Sequence, residues 1–274
     1  MAAQDVDLDA DTSEVSAAVS RPSDVLSADL DRTRRTRSLV ERLIAEPSLL
    51  GPDFTPIRRL DAEASDPSGL LGWKATGRGA PGTVIADTLV LLAQAAELGL
   101  VERLDWAFRA HTFDLAVSSG VTGELHLTPE PETFGTPCPP RLAVSVLRGR
   151  RALSVCAELH ADAFDDEPRL LAAVEEMQGW GWQIVYADVI GTPAAARAER
   201  LAPRVRPAYV HVDVSAPGIA TDAAAARMLD AARGAGAAVL AVGVDTPAHR
   251  DAALVLGATY GRGALLGAPA PSPR

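Results

Sequence analysis

Short apolar runs alternate along this chain with longer stretches in which apolar residues recur every three or four positions. The first pattern marks strands buried on both faces, and the second marks amphipathic helices. The predicted strands are FTPIRRL (54–60), LLGWKA (70–75), GELHLT (123–128), LSVCAEL (153–159), WQIVYAD (182–188), AYVHVDV (208–214), AVLAVGV (238–244) and ATYG (258–261). Helical periodicity fills 38–50, 83–98, 101–115, 168–179, 194–202, 221–233 and 247–256. Boundary residues agree with this division. Asp166 with Pro168, and Thr246 with Pro247, start helices, while Gly234, Gly236 and Gly257 end them.

About eight strands alternating with helices predict an α/β fold, a (β/α)8 TIM-like barrel. The rival is an open doubly wound sheet. No G-x-G-x-x-G follows the first strand and no Walker A motif occurs, so nucleotide-fold signals are missing. The link from Leu60 to Leu70 is too short for a crossover helix, so the first two strands are expected to form a hairpin with the first strand antiparallel. The segment Pro129–Pro140 reads as a proline-rich loop, and there is no internal repeat. The expected organisation is a disordered acidic tail with a basic run over 1–37, a barrel over 38–269 and a frayed end over 270–274.

Composition narrows the class. The chain has 274 residues, 47% of them hydrophobic, enough to bury a large core. Its net charge of −10 and 4% aromatic content argue against a protein that coats nucleic acid or an anionic membrane. The two cysteines, Cys138 and Cys156, give neither a disulfide framework nor a Cys-rich zinc site. No apolar run of about eighteen residues and no charged-then-apolar start is present, so a cytoplasmic protein without a membrane span is expected. The charge is uneven: eight acids and one base lie between Met1 and Asp31, followed by Arg32, Arg34, Arg35 and Arg37. The remaining domain is close to neutral, and the basic run reads as a solvated helix start or a partner for the acidic tail.

In such a barrel, chemistry belongs at the C-terminal ends of the strands. Those ends carry Lys74, His126, Glu158 with His160, Asp188, His211 with Asp213, Val242 and Arg262. Alternation puts His126 with Thr128, Glu158 with His160, and His211 with Asp213 on shared faces. Histidines and carboxylates so gathered are able to hold a metal and activate water. Polar residues are also expected wherever a strand meets solvent, so both readings stay open. His111 and His249 are expected as surface or capping residues, and Trp180 and Trp182 as packing residues.

In order and spacing these segments resemble the EAL domain, a family that hydrolyses cyclic di-GMP. FTPIRRLD resembles the family's opening strand, and LLGWKATGRG its signature strand. AELGLVERLDW, LHLTPE, CAELHADAF, GWQIVYADVIGTP and YVHVDVS resemble the segments that follow, and AAVLAVGVDTPAHRDAALVLGATYGRGALLGAP resembles the long C-terminal run. The resemblance covers about residues 50–269. It implies a barrel of EAL type, bacterial signalling, cyclic di-GMP as ligand, Mg²⁺ or Mn²⁺ in active members, and possible pairing into a homodimer.

At the positions where the family carries its metal ligands, this chain departs from the pattern. The signature Glu is Lys74, the Asn is His126, one of the paired acids is Ala187, the family's Lys is His211, a later Glu is Val242 and a late Gln is Arg262. Glu158 and Asp188 are the retained oxygen ligands, with the register at Asp188 undecided, and Arg78 matches a phosphate-contacting Arg. Hard cations need oxygen ligands, so the resemblance implies no bound metal, or at most one at Glu158 and Asp188. The expectation is a catalytically inactive EAL-like protein acting as nucleotide receptor or protein-interaction module. Its ligand-binding residues would be Arg78, Lys74, Glu158, Asp188 and Arg262. The open alternatives are an active phosphodiesterase, another metal hydrolase using Glu158, Asp188, His126 and His211, and a scaffold without ligand.

Overall fold

The structure, a computed structural model, describes residues 22–63 and 66–273. The acidic segment 1–21 lies outside the described residues. The chain divides into two compact units, Met1–Leu39 and Val40–Arg274, and the barrel lies within the second.

Helix α1 covers Pro22–Ala45, which corrects the expected helix start at Ser38: residues 22–37 are helical where a tail was expected. The reason is local. Pro22 suits a first helical position, and the alternating charges that read as a solvated tail are spaced for a helix face. Arg34 lies 3.7 Å from Asp31, and Arg35 donates to the Asp31 carbonyl.

The strands are β1 (Asp53–Arg59), β2 (Leu70–Thr76), β3 (Glu124–Leu127), β4 (Ser154–Leu159), β5 (Gln183–Tyr186), β6 (Tyr209–Asp213), β7 (Ala238–Val242) and β8 (Ala258–Gly261). They close into a barrel in sequence order. β1 runs antiparallel to both β2 and β8, and every other pair is parallel. The hairpin follows from the short link, which is pinned where Asp66 caps the turn at Ser68 and Arg58 donates to the Asp66 carbonyl. The helices are α2 (Thr88–Glu97), α3 (Val101–Ser118), α4 (Ala143–Ala152), α5 (Glu167–Gly179), α6 (Ala195–Val205), α7 (Ala223–Gly234) and α8 (Pro247–Val255). Asp166 and Thr246 cap α5 and α8 through backbone N–H groups of Arg169 and His249, as the sequence predicts. Helix α2 starts at Thr88 rather than at 83, because the Asp87 side chain caps it. Helix α4 lacks a sequence signal: it is short, without a capping side chain, and contains Gly149.

The barrel interior begins at its lower end with Ile57, Cys156, Val185, Tyr209 and Leu240, all buried. Outside, aromatic edges tie the helical layer to the sheet, with Phe113 against Trp182 and Phe164 against Tyr186. At the start of the end expected to fray, Ala270 exchanges two backbone hydrogen bonds with Phe54 of β1. Among the described residues no helix is long and apolar enough to cross a membrane.

β2 approaches β3 so closely at Gly72 that a Cβ there would lie 2.1 Å from the Glu124 carbonyl oxygen. Backbone cannot yield as a flexible side chain does. Gly72→Ala should therefore lower stability by about 1–3 kcal/mol, the usual range for overpacking. A urea midpoint equal to that of the parent chain would refute this account of the contact.

Candidate functional site

Strand alternation turns Lys74 of β2, His126 of β3, Glu158 of β4 and His211 of β6 into the barrel, and all four are buried. The chain after β8 adds Arg262. Glu158 is at the centre, with 0% exposure. The Lys74 ammonium donates to its Oε2 at 2.6 Å and to the Thr128 hydroxyl at 2.7 Å. His126 Nδ1 lies 3.4 Å and His211 Nε2 3.7 Å from its Oε1. Arg262 and His160 each approach Oε2 at 4.0 Å. One carboxylate is thus ringed by five basic side chains.

The electrostatics follow from that crowding. Burial pushes Glu158 up, but Lys74, Arg262 and His211 outweigh it and hold the carboxyl well below its usual range. Burial pushes Lys74 down, against the pull of Glu158. His211 falls well below the usual histidine value because it is fully buried. Burial alone would lower His126, yet Glu124 and Glu158 on its two sides raise it. His160 is lowered by burial and by Lys74.

Below this layer lies a second polar cluster. Glu124 takes hydrogen bonds from the Tyr209 hydroxyl at 3.1 Å and the Cys156 thiol at 3.5 Å, and faces His126 Nε2 at 3.1 Å. Sequence reasoning missed Glu124 because an acid at the start of a strand reads as solvent-facing. Its signal was there: Glu124, His126 and Thr128 are two apart and share one face.

Above Glu158 a cavity of about 460 Å³ opens to solvent, a size that suits a small-molecule ligand. Its charged lining is mixed, with Lys74, Arg78, His160 and Arg262 facing Asp105, Glu130, Glu158 and Asp162, and Leu91, Leu92, Leu104 and Phe108 form an apolar wall. Arg78 is largely exposed and pairs with Asp53 at 2.6 Å. Asp188, grouped with Glu158 by the sequence, instead pairs with His160 at 3.3 Å at the rim. Its backbone is left-handed, with φ of 51°. The inward place after Val185 falls to Ala187, which is fully buried. Asp213 and Asp245 are occupied locally, accepting from Ser215 and from the Ala264 backbone N–H. Val242 is half-buried and brings no donor atom. His249 sits at the start of α8 with its Nδ1 2.8 Å from the Gly243 carbonyl oxygen, consistent with a capping role. Glu130 was not foreseen as part of the site. Burial, then Asp105, Asp162 and Glu132, push it up to about 8.

No family model matches the chain, and neither does any curated protein. Solved structures do. The FimX EAL domain of Xanthomonas citri, in complex with cyclic di-GMP, is 15% identical, with a TM-score of 0.70 over 89% of this chain and 97% of that one. The PaMucR phosphodiesterase in complex with cyclic di-GMP is 20% identical, with a TM-score of 0.60 over 83% and 94%. BlrP1 of Klebsiella pneumoniae, with manganese and cyclic di-GMP, is 16% identical, with a TM-score of 0.59 over 81% and 56%. The chain has the fold of an EAL domain. Manganese in BlrP1 prompts a test of the donors here. The inward layer offers a single carboxylate, its Oε2 already held by an ammonium, and Ala187 and Val242 bring no oxygen. These residues do not fit a pair of hard cations.

Two outcomes are expected. Glu158→Gln leaves the buried Lys74 ammonium without its counter-charge, so stability should drop by about 3–5 kcal/mol in chemical denaturation. A loss below about 1 kcal/mol would be that of a surface pair and would sink the central role given to this carboxylate. Glu130 titrates at about 8 in the folded chain against an ordinary 4.5. The folded state keeps that proton where the unfolded chain has lost it, so this contribution to stability falls as pH rises from about 4.5 to about 8 and is level above. In Glu130→Gln the denaturation midpoint should decline less over that interval than in the parent chain, and parallel curves would refute the assignment.

Proposed function

We propose that the cavity binds cyclic di-GMP without hydrolysing it, and that the protein is a nucleotide receptor or interaction module in bacterial signalling. The observation that carries this reading is the Lys74 ammonium 2.6 Å from Glu158 Oε2, at the position the EAL resemblance gives to a metal-binding Glu. A metal there would attract phosphate oxygens and activate water. An ammonium supplies attraction alone. Arg262 and Arg78 add charge where the cavity opens, suited to a ligand with two phosphates. Leu91, Leu92 and Phe108 provide the apolar surface on which a guanine can lie. Asp188 belongs to the rim in this reading and meets the ligand only through His160.

Isothermal titration with cyclic di-GMP tests the reading, with and without Mg²⁺ or Mn²⁺. Saturable binding of one ligand per site, indifferent to the cation, is expected, with no product on chromatography after prolonged incubation. Arg262→Ala should weaken binding roughly tenfold to a hundredfold, since a charged hydrogen bond is worth about 1.5–3 kcal/mol. Cation-dependent hydrolysis would overturn the receptor reading, and no heat of binding at all would leave the scaffold reading in its place.

A further inference from the structure

We propose that Lys74 is an amine nucleophile that forms a Schiff base with a small aldehyde or ketone carrying an anionic group, and that Thr128 and His160 carry the protons of that step.

Composition singles out this residue. Among the 26 lysine and arginine residues of the chain, Lys74 is the one lysine. Every other such side chain is a guanidinium, which keeps its proton in proteins and is no nucleophile. The exception is buried and lines the cavity. A partner needed only to neutralise Glu158 would be arginine, whose rigid fork suits a buried carboxylate better. Lysine brings what arginine lacks, an amine able to give up a proton and form a bond to carbon.

The other contacts of Lys74 make a path for protons. The ammonium donates to Thr128 Oγ1 at 2.7 Å. Thr128 Oγ1 lies 3.3 Å from His160 Nε2, and His160 Nδ1 lies 3.3 Å from Asp188 Oδ2. With the Nδ1 proton directed at Asp188, Nε2 accepts from the Thr128 hydroxyl, so each donor in the row faces an acceptor. A histidine oriented by a carboxylate in this way is the usual base beside a nucleophile. His160 is half-buried and lines the cavity, where it meets solvent.

The step balances in atoms and charge. One proton leaves the Lys74 ammonium through the Thr128 hydroxyl to His160. The amine nitrogen bonds to the carbonyl carbon, an N–H proton passes to the carbonyl oxygen, and a neutral carbinolamine results. His160 returns its proton to that hydroxyl, which leaves as water while the nitrogen lone pair forms the C=N bond. An ammonium and a carbonyl have become a protonated imine and one water. The positive charge beside Glu158 is the same at the start and at the end, so the buried carboxylate keeps its partner in both states. No oxidant or reductant is needed.

The cavity limits the ligand. Arg262 lies 4.0 Å from Glu158 Oε2 and also lines the cavity, so it can hold a carboxylate or phosphate close to the amine. Of the lining acids, Asp105 is paired with Arg109 and accepts from Thr133. Glu130 and Asp162 repel an anion and confine the charged end of the ligand to Arg262. Nucleotide binding does not enter this argument.

The test incubates the full chain with pyruvate, pyridoxal 5′-phosphate or acetone, reduces it with cyanoborohydride and maps the adduct by peptide mass spectrometry. Labelling is expected at Lys74 with at least one of the two anionic compounds, and which one labels tells carboxylate from phosphate. The α-amino group of the chain reports the reactivity of a solvated amine. Lys74 should react about tenfold faster than that group, and about tenfold faster with the anionic compound than with acetone, the lower worth of a charged hydrogen bond. His160→Gln should slow labelling about a hundredfold, with the affinity for lactate or pyridoxine 5′-phosphate, which lack the carbonyl, unchanged. In Lys74→Arg, which keeps the charge beside Glu158, the imine absorption with pyridoxal 5′-phosphate should be lost. Mapping on the unmodified protein decides the matter even where a variant does not fold. No adduct at Lys74 with either anionic compound, labelling there no faster than at the α-amino group, or equal labelling by acetone would each overturn the proposal. None of these outcomes depends on the cyclic di-GMP titration, so the two readings fail separately.

Discussion

The carboxylate of Glu158 lies at the centre of the barrel without contact with water, and a charge so placed must be balanced by its neighbours. Taking an ion out of water costs several kcal/mol even after relaxation, so the balance must come from well-placed cations. Here the cations are Lys74 on β2, His126 on β3 and Arg262 just past β8, and the imidazole of His211 on β6 packs beside the same carboxylate. Each reaches the same pair of oxygens only if its strand is in register and the barrel is closed. The antiparallel β1, which pairs with both β2 and β8, completes that closure. The polar centre and the fold therefore depend on one another.

The same constraint bears on chemistry. Hard cations need several oxygen ligands, and here the inward layer places an ammonium on its one fully buried carboxylate. The upper face of the layer is left with Lys74, Arg78 and Arg262 around a cavity. The chain as a whole carries −10, yet its inward layer sets Lys74, His126 and His211 around one carboxylate. A net charge is a property of the surface and the segments outside the barrel, and it says little about the field inside a cavity. The nucleotide reading depends on that local field.

The strands were legible because buried parallel strands carry continuous apolar runs, and all eight lie where those runs predict them. The hairpin was legible from the length of one link. What escaped had weak or contrary local signals. Residues 22–37 carry the charge density of a solvated tail but satisfy helix spacing. Helix α4 is short and contains a glycine. Ala270 is held by a bridge to Phe54, a contact between distant parts of the chain that no local pattern encodes. At the site, alternation correctly grouped Lys74, His126, Glu158 and His211. It failed at Asp188, where a left-handed residue breaks the alternation on which the grouping rests. It also passed over Glu124 and Glu130, whose importance lies in burial that only the closed barrel creates.

Glu124 shows how far the polar centre extends. From the lower end of the barrel to the rim, one chain of contacts runs from Tyr209 and Cys156 through Glu124 to His126, then to Glu158 and Lys74, on to Thr128 and His160, and ends at Asp188. An apolar interior would have filled the same space with less electrostatic cost, and at its lower end this barrel does so with Ile57, Val185 and Leu240. The polar column starts within that packing, at Tyr209 and Cys156, and leads to the mouth of the cavity. Within it the geometry of each group is set by the charge of the next, so a ligand touching Lys74 or His160 at the top acts on the environment of His126 and His211 below.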